Sequence, residues 1–292
     1  MCFQIFNFAF LILTHFTAFS QAIAAPQPEL PYKIIPYIKH IQPEIKEHSL
    51  VAFDIDLTLL VPAQSVGMPQ WVKARQDHLL RIYSDPQEAY DRLTADFSGV
   101  YNLLGFLPAE KETASFLSQL KQKNIATTAL TARSLSLMHA TRLHLKDNGV
   151  TFNSPFHSPH TGHHTRILEP HETPEKKLHH HVAIDRGVVY SSGQHKGMVL
   201  EHAIQRSKYD LKHLIFVDDE PHNLYKVSET CKQQNWDCSL FLYTGTRNHI
   251  DNFDLQVANK EWEKLRSKIR LPEQSLDAPT QSCSAPQQAK TL

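Results

Sequence analysis

The chain has 292 residues, enough for one large domain with insertions or two small ones, and a core of that size folds without disulfides or metal. Thirty basic residues balance thirty acidic ones with no long block of like charge, which argues against a nucleic-acid surface and against a polybasic membrane patch. The one excess is histidine, at nineteen.

In chain order, the first element is an apolar run over residues 5–13, continued weakly to Phe19 and followed by Ala22-Ile23-Ala24. That small-x-small pattern predicts a signal peptide over 1–24, although no Lys or Arg precedes the apolar run. The run falls short of the ~20 residues that span a bilayer, so a periplasmic or secreted protein with no stable membrane insertion after cleavage is expected. Cleavage removes Cys2 and leaves Cys231 and Cys238 close enough to close a small loop; a disulfide and two free thiols are both compatible with that spacing.

From residue 48 onward, short β-rich runs alternate with helical ones. Strands are expected over 49–55, 125–130, 182–184 with 188–191, 213–217 and 239–243. Helices are expected over 109–123, 134–148, 196–207 and 221–234. This is the pattern of an α/β protein with a three-layer, Rossmann-like parallel sheet, and near-continuous apolar strands mean that both sheet faces are covered. Residues 60–107 show two helical stretches, 70–83 and 86–97, and no strand pattern, which predicts a small helical cap inserted after the first core strand. The core is then 25–59 with 108–268. Within it, 151–181 reads as a loop rich in histidine, and 269–292 reads as a disordered tail of Pro, Gln, Ser and Ala.

Chemistry concentrates at strand ends. The apolar run from Ser49 ends in Asp54-Ile55-Asp56-Leu57-Thr58, and continued alternation would put Asp54 and Asp56 on one side. Two carboxylates at a buried strand end are unfavourable unless a cation or a hydrogen-bonding frame compensates, and oxygen ligands suit Mg²⁺. A solvated Asp-rich turn is the plainer alternative. A second strand runs into Asp218-Asp219, and carboxyl ends of parallel strands share one crevice, so four acids are expected in a small volume. Thr131, in Leu130-Thr131-Ala132-Arg133, and Lys196, before Gly197, supply a hydroxyl and an ammonium at helix starts, as phosphoryl transfer requires. Taken singly, Thr131 is an ordinary capping hydroxyl, Lys196 and Arg133 ordinary surface cations, and Trp71 either a lid over the site or a cap-core aromatic.

Taken together, these four motifs over roughly 48–245 resemble the haloacid dehalogenase superfamily of phosphatases, and the flanking sequence is similar to a group of exported bacterial members. The resemblance implies that Asp54 is the nucleophile, forming an aspartyl phosphate, and that Asp56 is the general acid and base. It implies that Thr131 and Lys196 hold phosphoryl oxygens. It also implies that Mg²⁺ is bound by Asp54, the Asp56 main-chain carbonyl and Asp219, with Asp218 behind. Asn223 stands where some members carry another acid. A small phosphorylated metabolite is the expected substrate, with a phosphoprotein as the larger option. A non-catalytic binding protein and a phosphotransferase are the rival functions. His157, His160, His163 and His164 have spacings compatible with Zn²⁺, Cu²⁺ or Ni²⁺, yet their low-complexity setting reads as a polar, pH-sensitive loop.

Overall fold

In the computed structural model, residues 30–156, 165–168, 172–173, 176–178 and 181–268 are described. The leader, the tail from 269 and every histidine of the cluster except His181 lie outside them.

The strands are β1 (Lys33–Ile35), β2 (Ser49–Phe53), β3 (Leu60–Pro62), β4 (Phe106–Pro108), β5 (Ala126–Thr131), β6 (Thr165–Leu168), β7 (Glu172–Thr173), β8 (Lys176–Lys177), β9 (Val182–Asp185), β10 (Val188–Tyr190), β11 (His213–Asp218) and β12 (Asp237–Tyr243). The helices are α1 (Pro69–Ile82), α2 (Pro86–Tyr101), α3 (Thr113–Gln122), α4 (Met138–Asp147), α5 (Lys196–Ser207), α6 (Pro221–Gln234), α7 (Arg247–Asp251) and α8 (Leu255–Arg266).

Eight strands form one sheet in the order β1-β12-β11-β2-β5-β10-β9-β6. From β1 to β10 each neighbouring pair is parallel, and β9 and β6 complete it antiparallel. All five residues of β2 are buried, because alternate side chains enter two different cores. Val51 and Phe53 pack with Phe116, Leu117 and Leu120 of α3, while Leu50 and Ala52 pack with Val199 and Leu200 of α5 and Leu224 and Val227 of α6. Each of these side chains except Ala52 contributes roughly 1.5–3 kcal/mol by leaving water. The result is the expected three-layer α/β arrangement.

Between β2 and α3 lies the helical insertion, α1 and α2. Asp85 caps α2 by accepting from the Gln87 N–H at 2.9 Å, and Pro86 fills its first position. Leu79, Ala89 and Leu93 pack between the two helices. The fully buried Asp96 is gripped by Arg75 at 2.8 Å and Arg92 at 3.0 Å. Trp71 is buried against Trp262 of α8, with ring centroids 5.3 Å apart, so it is a core aromatic and not a lid.

Several short elements depart from the sequence expectation. The stretch read as strand-free contains β3 and forms a ribbon with β4, Val61 opposite Leu107. That pairing carries the chain past Pro108, so the helix expected from 109 starts at Thr113. The helix expected from 134 opens as a 3₁₀ turn, Leu135–Leu137, before α4. β6, β7 and β8 fall inside the stretch read as loop, and β1, α7 and α8 are additional. Strands of two to four residues display no period, and among the short ones β9 and β10 are legible as paired apolar runs on either side of Arg186-Gly187. α8 carries Leu255, Ala258, Trp262 and Leu265 at helical spacing, a period that the sequence expectation passed over. The limits of α5 and α6 match expectation, and Asn148-Gly149, with Gly149 at φ +65°, ends α4.

Cys231 and Cys238 are bridged, Cα atoms 6.4 Å apart, tying the end of α6 to β12. No helix among the described residues is long and apolar enough to cross a membrane.

Candidate active site

The chain leaves β2 for β5 on one side and returns through β11 on the other, so β2 sits where the strand order reverses. In open α/β sheets the crevice beyond the carboxyl ends at such a point is the ligand site. Asp54 follows β2 directly, its N–H extending the ladder to the Val217 carbonyl at 2.9 Å, and Asp218 ends β11 beside it.

Beyond Asp54 the strand does not continue. Leu57 adopts φ +59°, a left-handed conformation that is unfavourable for a residue with a Cβ. It is held by its N–H donating to the Leu60 carbonyl at 2.8 Å and by Thr246 Oγ1 donating to its own carbonyl at 2.7 Å. The carboxyls of Asp54 and Asp56 meet different partners.

Asp54 meets Lys196. The His195 ring caps α5 by accepting from the Met198 N–H at 3.2 Å. Gly197 lets this helix start lie against α6: a Cβ there would stand 2.7 Å from the Lys226 carbonyl oxygen. Lys196 is therefore driven inward, to 1 % exposure. Its Nζ donates to Asp54 Oδ1 at 2.6 Å and to Asp218 Oδ2 at 2.7 Å. Burial disfavours the ammonium, but the two carboxylates outweigh it and raise the lysine above its ordinary range. The surface-lysine alternative does not hold.

Asp218 is fully engaged. Besides Lys196 it accepts from the Glu220 N–H at 2.9 Å and from Asn223 Nδ2 at 3.1 and 3.2 Å. An acid at 223 could not donate in this way. Asp219 is the contrast: it accepts from Thr58 Oγ1 at a long 3.4 Å. Carboxylate oxygens of Asp54, Asp218 and Asp219 lie within 4.8 Å of one another. Burial, then Asp218 and Asp56, push Asp54 up to about 7 against the pull of Lys196. Burial, Asp54, Asp218 and Glu220 push Asp219 up to about 9. Three acids facing one ammonium leave excess negative charge that a divalent, oxygen-seeking cation relieves. The donor set fits such an ion, with Asp219 the carboxylate freest to ligate.

The Asp56 carboxyl stands outside that group, so three of the four expected acids come together. Arg133 Nη2 donates to its Oδ1 at 2.7 Å and Nε to its Oδ2 at 2.9 Å, and the Tyr101 hydroxyl donates to Oδ1 at 3.0 Å. Burial pushes Asp56 up, but Arg133 and Tyr101 outweigh it and hold the carboxyl below its ordinary range. Arg133 is buried, contrary to the surface reading, and its Nη1 donates to Thr141 Oγ1 at 3.0 Å. It stacks over the Tyr101 and Phe106 rings at 5.0 and 4.9 Å. His144 lies 3.4 Å from Nη1, and burial first, then Arg133, lowers its pKa to about 4. Thr131, buried at the end of β5 next to β2, accepts the Arg133 N–H through Oγ1 at 3.2 Å.

Sequence reasoning missed Tyr101 and His144. Each sits on a helix, and nothing in the local pattern signals that the fold delivers it to a strand end some forty to ninety residues away in the chain.

A family profile described as "Protein of unknown function (DUF2608)" matches residues 33–275. Among curated proteins the chain is 21% identical over 232 residues to one from Chlamydia pneumoniae named "Putative outer membrane protein", covering 77% of this chain and 81% of that one. It is 21% identical over 197 residues to a protein of the same name from Chlamydia trachomatis, covering 68% and 69%. No solved structure gives a significant match.

Proposed function

We propose that this chain, which belongs to the DUF2608 family of proteins of unknown function, is a phosphomonoester hydrolase of the haloacid dehalogenase type. The observation that carries the reading is Lys196 Nζ bridging Asp54 and Asp218 at the ends of adjacent strands, with Asp219 left uncompensated beside them.

Asp54 Oδ attacks phosphorus as the bond to the ester oxygen breaks, and Asp56 gives that oxygen a proton, releasing the alcohol. Water then attacks the aspartyl phosphate, Asp56 takes a proton from it, and phosphate leaves with Asp54 restored. Lys196 holds a phosphoryl oxygen and favours the ionised form of Asp54, and Thr131, at the carboxyl end of β5, offers its hydroxyl to another. Asp54, the Asp56 main-chain carbonyl and Asp219, with Asp218 behind, would hold Mg²⁺, which would supply charge neutralisation for the phosphoryl group. The described arrangement has Asp56 ionised, the form needed for the water step; the first step requires it to part from Arg133 and gain a proton.

That same pairing favours a second reading, a phosphate-binding protein without turnover, since a carboxyl held ionised is a poor acid. Phosphate release from a panel of monoesters, with Mg²⁺ or EDTA and with Asp54→Asn, decides between them. Mg²⁺-dependent release abolished in the variant supports hydrolysis; bound Mg²⁺ and phosphate without release from any ester supports binding.

The bridged cysteines and the outer-membrane names of the relatives support an extracytoplasmic location. Disulfides persist in oxidising compartments. A small phosphorylated metabolite is the proposed substrate.

A further inference from the structure

A cavity of about 430 Å³ lies between the inserted helices α1 and α2 and the core, within the size range of small-molecule sites. Asp56 lines it; Asp54, Asp218 and Asp219 do not. Resting on the hydrolase reading, in which Asp56 protonates the leaving oxygen, the cavity is on the side where the alcohol departs. We infer that this cavity receives the leaving group, and that the preferred substrates are phosphate esters of apolar alcohols, aryl or short alkyl, in preference to those of polyols.

The walls argue for it. Val72 on α1, Leu93 and Phe97 on α2 and Leu137 on the core side present carbon to the cavity. The Phe97 and Tyr101 rings, 4.2 Å apart, make an aromatic face that continues to Asp56. Many of the polar groups in the lining already have partners. Ser98 and Ser134 both hydrogen-bond Ser136, at 3.1 and 2.7 Å. Ser192 donates to the His181 carbonyl at 3.4 Å, and Lys73 pairs with Asp77 at 2.5 Å. A sugar placed here would bury hydroxyls against carbon, and each one left unpaired weakens binding by about tenfold. An aryl or alkyl group gains from the same surface.

The test is calorimetric binding of phenyl phosphate, hexyl phosphate and glucose 6-phosphate to the full-length protein with Mg²⁺, alongside phosphate release from each. Wild type is compared with Val72→Lys, which puts a charge in the wall, and Thr94→Trp, which fills the space; thermal unfolding shows which variants fold. The expected result is at least tenfold tighter binding of the apolar esters in wild type, with that preference lost in whichever variant folds. Equal or tighter binding of glucose 6-phosphate, binding of none of the three, or a preference untouched by either variant overturns the inference. Apolar esters that bind with the expected preference but are never hydrolysed support the cavity assignment while removing the hydrolase reading, so the two failures are distinct.

Discussion

Arg133 meets Asp56 through two parallel hydrogen bonds, 2.7 and 2.9 Å, so the carboxyl that the proposed hydrolysis would use as its proton donor is held below its ordinary range. The pair joins the ends of β2 and β5, and Tyr101 brings α2 onto the same carboxyl. The insertion and the sheet are thereby tied together at one carboxyl.

Replacing Arg133 by Met removes the guanidinium that favours the ionised form, so Asp56 keeps its proton to higher pH. If donation by Asp56 limits the rate, activity falls as pH rises through its titration, and in Arg133→Met that alkaline limb moves to higher pH. A pH–rate profile of both proteins checks this; a limb that stays in place removes Asp56 as the proton donor.

Lys196→Met leaves Asp54 and Asp218 buried without their shared cation. Breaking a buried pair on one side costs about 3–5 kcal/mol, because the remaining charge is stranded. Urea unfolding is expected to show that loss, and saturating Mg²⁺ is expected to restore part of it by supplying positive charge at the same carboxylates. A loss under about 1 kcal/mol would mean that water already solvates this site.

Asp219→Asn is expected to act in the opposite direction on the metal-free protein. With its pKa raised to about 9, Asp219 binds its proton more tightly folded than unfolded, so stability falls as pH rises from about 4 toward 9. The amide carries no such penalty and should stabilise the metal-free fold by about 1–3 kcal/mol at pH 8. The same change should abolish the rise in melting temperature that Mg²⁺ gives wild type. Calorimetry with and without EDTA measures both.

The parts of this site legible in the chain were those at strand ends. Asp54, Thr131, Lys196 and Asp218 each stand at the edge of an apolar run or a helix start, where local pattern and parallel-sheet topology suffice to bring carboxyl ends together. Their pairing was not legible. Whether Asp56 keeps company with Asp54 depends on Arg133 and Tyr101 taking its carboxyl, and both are distant in the chain. Tyr101 reaches Asp56 only because α1 and α2 fold back over the sheet, and the burial of Lys196 depends on close approach of α5 to α6 at Gly197. The fold was read from long periodic elements; β1, β3 and β4 have three residues each and carry no period.

The Cys231–Cys238 bridge closes a short loop, with a sequence separation of 7. In the chain-entropy account, a loop of this size contributes roughly 2–3 kcal/mol by restricting the unfolded chain. Cys231→Ser with Cys238→Ser is expected to lower the melting temperature by several degrees, at about 2–4 °C per kcal/mol for a chain of this length. Dithiothreitol should reproduce the shift in wild type and leave the double variant unmoved.

His144 supplies the last prediction, and its sign is fixed by where it is buried. Its ring stacks on Phe106, with centroids 4.1 Å apart, and lies beside the Arg133 guanidinium, which together with burial lowers its pKa from 6.5 to about 4. Between those values the unfolded chain holds the proton and the folded chain does not, so stability rises with pH across the window. The contribution is complete above about pH 6.5, is lost as pH falls toward 4, and is flat below that; a shift of this size corresponds to roughly 3 kcal/mol. His144→Phe keeps the ring against Phe106 and cannot titrate, so the difference in unfolding free energy between the two proteins should change across pH 4–6.5 and hold constant above it. A difference independent of pH would mean that His144 is solvated enough to titrate in place, and that the Arg133 cluster opens to water more readily than its packing against Tyr101 and Phe106 implies.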